Sequence, residues 1–156
     1  CFDLVYTGIG AICWLPSIDQ WAQTVAALLK PGGRLFIRDC HPMLGTLDVI
    51  EDQIVMDYPY FEHAEALVFE DTTSYVDHVR PLPGLPSREW SHGLAEIFAA
   101  VVSHGMVVDV FAEHDSVPWE ALPGKMVAHP DHAGEFRLAE RPERLAASFT
   151  LAATRK

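Results

Sequence analysis

Phe2-Asp3-Leu4-Val5-Tyr6-Thr7-Gly8 and Leu28-Leu29-Lys30-Pro31-Gly32-Gly33-Arg34-Leu35-Phe36 bracket a capped helix, and their reading decides the fold. The first segment is short, apolar and rich in strand-favouring residues, and it ends on a glycine. That is the pattern of a central parallel strand running into a loop. Between the two segments Ser17-Ile18-Asp19-Gln20 reads as a capping box, in which the Ser17 hydroxyl accepts from the N3 amide and Gln20 reaches back to the cap amide. Ile18, Trp21, Ala22, Val25, Ala26 and Leu29 then recur at the spacing of one apolar helical stripe. Pro31-Gly32-Gly33 stops the helix, because proline cannot continue it and glycine accepts left-handed backbone angles. Arg34 to Asp39 alternates little and reads as a second buried strand, so the segment is a βαβ crossover.

The same signals organise the rest of the chain. Ser91 precedes a helix with Leu94, Ile97, Phe98, Val101 and Val102 on one face, and Gly105 sits where a C-terminal cap belongs. Strands are expected over 2–8, 34–39, 106–112 and 147–154, and helices over 18–29 and 92–104. Residues 42–88 give mixed signals: a short helix over 43–51, strands over 66–69 and 73–76, then Pro81, Pro83 and Pro86. They read as an insertion or lid within a single domain spanning 1–156. A proline-rich loop runs through Trp119, Pro123 and Pro130 to the last strand. The expected class is α/β, with a mostly parallel sheet covered on both faces.

Composition narrows the function. A chain of 156 residues with 49% hydrophobic and 21% charged residues is neither collagenous, disordered nor of low complexity. Its formal charge of -11 repels polyanions, so nucleic acid is a poor partner. Ten carboxylates from Asp39 to Asp77 lie between the consecutive basic residues Arg38 and Arg80. This run reads either as a solvated acidic face or as a negative rim beside a cationic ligand. Cys1, Cys13 and Cys40 are odd in number and contain no C-x-x-C, which argues against a disulfide framework or a zinc site and for a cytoplasmic setting. His129-Pro130-Asp131-His132 lacks a third ligand, so no metal is expected. The longest apolar stretch, Ile9 to Leu15, is far shorter than the roughly 18 residues of a membrane span. The chain opens on Cys1 and enters a strand at once, which suggests that its start is missing.

The F-D-L-V strand, the capped helix and L-L-K-P-G-G before the next strand resemble class I S-adenosylmethionine-dependent methyltransferases. The resemblance implies a Rossmann-like fold with strand order 3-2-1-4-5-7-6, of which this chain matches strands four to seven, the last antiparallel. It implies S-adenosylmethionine as cofactor, yet the Gly-rich turn after the family's first strand and the ribose-binding carboxylate have no counterpart here. Gly8-Ile9-Gly10 lacks the third glycine of such a turn. The expected state is a truncated domain that binds the cofactor poorly by itself and self-associates through the unpaired first strand.

Open α/β sheets bind ligands at the carboxyl ends of their strands. By the resemblance, Tyr6, Thr7, Gly8 and Ile9 run beneath the methionine part of the cofactor, and Trp14 walls its adenine or the substrate. Asp39 and His41, at the end of the next strand, border the substrate. Methyl transfer is an in-line displacement that depends mainly on positioning, and a histidine can remove the proton of a hydroxyl acceptor, which makes His41 the candidate base. Cys40 beside His41 is a poor nucleophile pair, because adjacent strand residues point to opposite faces. Tyr75, in the lid, and Trp90 and His92, at the start of the later helix, complete the candidate substrate pocket. The expected activity, as part of a complete domain, is methyl transfer to an O, N or C atom of a small molecule. The alternatives are a non-catalytic half-domain serving as an interaction module and a nicotinamide-dependent oxidoreductase on the same kind of sheet.

Overall fold

In the computed structural model, which describes residues 1–70 and 86–156, the first crossover forms as its sequence predicts. Strand β1 (Phe2–Thr7) leads through a loop to helix α1 (Ile18–Leu28), which returns along strand β2 (Leu29–Cys40). The Ser17 hydroxyl accepts from the Gln20 N–H at 3.3 Å, and Ile18, Trp21, Ala22, Val25 and Ala26 are buried. β2 begins earlier than expected. Phe2 pairs with Leu29 but Leu4 with Arg34, so the longer β2 segment bulges outward. Gly32 turns the bulge with φ +79°, and a Cβ on Gly33 would lie 2.9 Å from the Lys30 carbonyl oxygen and 3.0 Å from that of Phe2. The Pro-Gly-Gly segment is thus where two backbones approach too closely for a side chain.

After β2 come α2 (Pro42–Gly45), the hairpin β3 (Leu47–Ile50) and β4 (Gln53–Met56), β5 (Leu67–Phe69) and its partner β6 (Ser87–Glu89). The helix expected over 43–51 is therefore one turn followed by a strand. Glu51 and Asp52, with φ of 50° and 64°, make a turn that their residue types do not advertise. The strand expected over 73–76 lies outside the described residues. Helix α3 (Leu94–Ser103) precedes β7 (Met106–His114). α3 starts from Gly93 rather than Ser91, with the Glu96 carboxylate accepting the Gly93 N–H at 2.5 Å. Ile97, Ala100 and Val101 are buried, whereas Val102 is exposed. Three short strands, β8 (Ser116–Val117), β9 (Met126–Ala128) and β10 (Phe136–Leu138), replace the expected plain loop before β11 (Ser148–Arg155).

The main sheet has the order β1-β2-β11-β7. β1 and β2 are parallel, but β11 runs antiparallel to both β2 and β7. The expectation of a mostly parallel sheet is thus corrected for these strands, whose pairings are mostly antiparallel. The cause is topological: β11 enters reversed between two strands of like direction, and turns both of their contacts antiparallel. The antiparallel last strand itself forms as expected.

A second correction concerns coverage. Helices α1 and α3 pack on one face, over Leu35, Ile37, Phe149, Leu151 and Ala153. On the other, Phe36 and Val110 are exposed, and Tyr6 stacks on Phe36 with ring centroids 5.9 Å apart. Burial alternates along β2, a period hidden in the sequence because Phe36 is apolar although it faces outward. β1, whose sequence reads as a central strand of a complete domain and as an unpaired edge in this chain, is the edge of this sheet, with Phe2, Leu4 and Tyr6 exposed. A separate core of Leu44, Val117, Leu122, Met126, Leu138 and Leu145 joins α2 to the small sheet β8-β10-β9. No helix among the described residues is long and apolar enough to cross a membrane.

Candidate functional site

The loop after β1 is wound around a carboxylate. Asp39, near the end of β2 and 2% exposed, accepts the N–H groups of Gly10 and Cys40 on Oδ1, both at 2.7 Å. Its Oδ2 accepts those of Ile12 at 3.2 Å and Ala11 at 3.3 Å. Burial pushes the Asp39 carboxyl up from its ordinary range, and the amide donors oppose that shift. Asp39 therefore holds the wall of a site in place, with its acceptor capacity directed into the protein.

Beyond the carboxyl ends of β1 and β2 lies a cavity of about 510 Å³, within the range of small-molecule sites. The β1 loop, the β2–α2 junction, the β5–β6 pair and the Pro118-Trp119 segment enclose it. The Trp90 backbone N–H donates to the Cys13 carbonyl at 2.8 Å, fastening the segment after β6 to the β1 loop. His92, 4% exposed, reinforces that joint: its Nδ1 lies 2.7 Å from Glu62 Oε2 and its Nε2 2.8 Å from the Leu15 carbonyl oxygen.

Six residues singled out from the sequence meet at this cavity: Ile9, Trp14, Asp39, His41, Trp90 and His92. Tyr6, Thr7 and Gly8 do not line it. Tyr6 lies on the open sheet face, Thr7 Oγ1 accepts from Trp21 Nε1 at 3.3 Å, and Gly8 packs beside the Tyr6 ring. Tyr75 lies outside the described residues. The residues that sequence reasoning missed are Cys13, Phe69, Glu89 and Trp119. Glu89-Trp90 and Pro118-Trp119, each a tryptophan beside a carboxylate or proline in a loop, were the available signals, but nothing local showed that they converge.

His41 is 6% exposed and caps α2: its Nδ1 accepts the Met43 N–H at 3.0 Å. Nε2 consequently carries the ring hydrogen and faces Glu113 Oε1 at 2.9 Å. Burial lowers the His41 pKa and so favours the neutral ring, and Glu113 opposes the shift. Both nitrogens are thus engaged. Burial, with the nearby carboxylates of Glu89 and Asp39, pushes the thiols of Cys13 and Cys40 up to about 12, so neither supplies a thiolate.

These residues fit one flank of the cofactor that the sequence resemblance implies. Ile9 and Trp14 present apolar and aromatic surface suited to a purine. The amides of Gly10, Ala11 and Ile12 are turned inward onto Asp39 and offer no cradle for its polar groups.

No family model matches the sequence, and no curated protein does so either. Solved structures match its fold along the entire chain. A protein from Listeria monocytogenes, assigned as an S-adenosylmethionine-dependent methyltransferase, aligns with all of this chain and 62% of its own at a TM-score of 0.60 and 12% identity. The S-adenosylmethionine-dependent methyltransferase of Mesorhizobium loti aligns with 99% of this chain and 62% of its own, at a TM-score of 0.58 and 15% identity. That of Clostridium acetobutylicum aligns with 99% and 58%, at a TM-score of 0.54 and 10% identity. The chain therefore spans less than two thirds of the length of the proteins whose fold it shares.

Proposed function

From the premise that the chain has a class I S-adenosylmethionine-dependent methyltransferase-like fold, we propose that it forms the acceptor side of a domain that methylates an O, N or C atom of a small molecule. The observation that carries this reading is the aromatic-walled cavity at the carboxyl ends of the parallel pair β1 and β2. S-adenosylmethionine, when bound, supplies an electrophilic methyl group on a sulfonium. The protein's part is to hold an acceptor in line with that methyl and to exclude water, which accounts for most of the rate in such a displacement. Phe69 closes the cavity from the insertion, acting as its lid, Trp90 closes it from just beyond that segment, and Trp14 from the β1 loop.

His41 enters this reading as a positioning residue. Its pairing with Glu113 is that of a base oriented by a carboxylate, but the Nδ1 lone pair is already used by Met43. It can accept a proton from an acceptor only by giving up that bond, so His41 as placed orients the acceptor rather than deprotonating it.

The test joins these residues to the cofactor-binding half of a class I domain and supplies labelled S-adenosylmethionine with a panel of small amines, phenols and carboxylic acids. Label is expected in a small molecule only with the joined protein. The reading fails if the joined protein binds S-adenosylhomocysteine at about micromolar Kd yet labels nothing. Micromolar binding by the 156-residue chain alone would show that the cofactor site lies elsewhere in it.

A further inference from the structure

The cavity contains a carboxylate that nothing described so far employs. Glu89 is half-buried on β6, opposite Leu67, and both face the cavity. Among the described residues it has no hydrogen-bond or ion-pair partner, and none of the described residues lining the cavity is Lys or Arg. This sets it apart from Asp39, whose oxygens are filled by four amides. Burial pushes the Glu89 carboxyl up from its ordinary range, the response of a buried acid without a counter-ion.

The surroundings favour one kind of ligand. Trp14, Trp90, Trp119 and Phe69 share the cavity with Glu89, and the faces of such rings attract a cation electrostatically. Trp90 Nε1 is buried without an acceptor among the described residues. The chain's formal net charge of -11 also favours a cation over an anion.

We infer that the cavity selects an amine: an alkyl- or arylalkylamine whose ammonium pairs with Glu89 while its apolar body lies between the tryptophans. Taken with the proposed function, on which only this last step rests, the amine is the class of methyl acceptor. The carboxylate holds the ammonium on arrival and takes its proton before transfer, which frees the nitrogen lone pair that an ammonium lacks, and the aromatic walls hold the apolar part once water has left.

Direct binding to the 156-residue chain tests the inference without S-adenosylmethionine. Phenethylamine and its neutral counterpart 2-phenylethanol are titrated separately, following the emission of the cavity tryptophans with excitation that the ligands do not absorb. The amine should bind roughly tenfold to a hundredfold more tightly than the alcohol, the difference expected of one charge-assisted contact. Glu89→Gln, which preserves shape, should abolish that preference while leaving the alcohol's affinity within about twofold. Equal binding of the two ligands by the unmodified chain, absence of saturable amine binding, or a preference that survives Glu89→Gln would each overturn the inference. The unmodified comparison needs no variant, so a failure of Glu89→Gln to fold leaves a decisive measurement. In the joined protein, a Glu89→Gln change that weakens S-adenosylmethionine but not phenethylamine would assign the carboxylate to the cofactor sulfonium and also overturn it. Amine binding without any methyl transfer would sink the proposed function and leave the amine site standing.

Discussion

Replacing Asp39 by alanine removes the group around which the β1 loop is wound. Two of its four bonds are short, at 2.7 Å, and two are longer, at 3.2 and 3.3 Å. With about 1.5 kcal/mol for each short bond and about half that for each long one, the gross loss is ~4 kcal/mol. Part is returned, because the fold no longer has to bury a carboxylate, a cost visible in the upward shift of its pKa. The net destabilisation should be about 2–3 kcal/mol, read as a lower urea midpoint with a Tm drop of roughly 4–12 °C. The damage should also be local. Cys13 Sγ donates to the Gly10 carbonyl at 3.5 Å within the same loop, and its thiol is held up at about 12. In Asp39→Ala the loop loses its anchor, and Cys13 should react with a thiol reagent at least tenfold faster, as measured by peptide mass mapping that separates it from Cys1 and Cys40. A stability loss below about 0.5 kcal/mol with unchanged Cys13 labelling would refute the view that Asp39 organises this wall.

Two further outcomes follow from burial and close packing elsewhere in the fold. Burial holds His41 and His114 below the ordinary histidine value of 6.5, so the fold favours their neutral rings and the unfolded chain takes up protons first. Their contribution to stability is complete above about pH 6.5 and declines as the pH falls below it; urea midpoints should show this slope, and His41→Gln should flatten it, whereas parallel slopes would contradict it. Gly33→Ala places a Cβ against the backbone oxygens of Lys30 and Phe2 and should cost about 1–3 kcal/mol, while Gly45→Ala, with open space around it, should be close to neutral in the same denaturation assay.

The sequence by itself determined the elements whose causes are local. Ser17 beside Ile18-Asp19-Gln20 starts α1, the Ile18 to Ala26 stripe sets its buried face, and Gly105, with φ +76°, marks the end of α3. A cap is a bond between near neighbours and a stripe is a spacing, so both are legible in one dimension. It also brought Ile9, Trp14, Asp39, His41, Trp90 and His92 forward as candidates, because strand ends in such sheets are where ligands bind. Only the tertiary structure decided what those residues do. Asp39 became a loop anchor through amides 27 to 29 residues away, and His41 lost its free lone pair to Met43 while facing Glu113 across 72 positions. Phe36 and Tyr6 looked like core and lie on an open face, because hydrophobicity does not say which side of a sheet a helix will cover. Glu89 carried no signal beyond its place beside Trp90: a glutamate in a chain with 22 acidic residues is ordinary until the fold surrounds it with tryptophans and supplies no described counter-ion. Charge and shape act through space, and the distances that govern them exist only once the chain has folded.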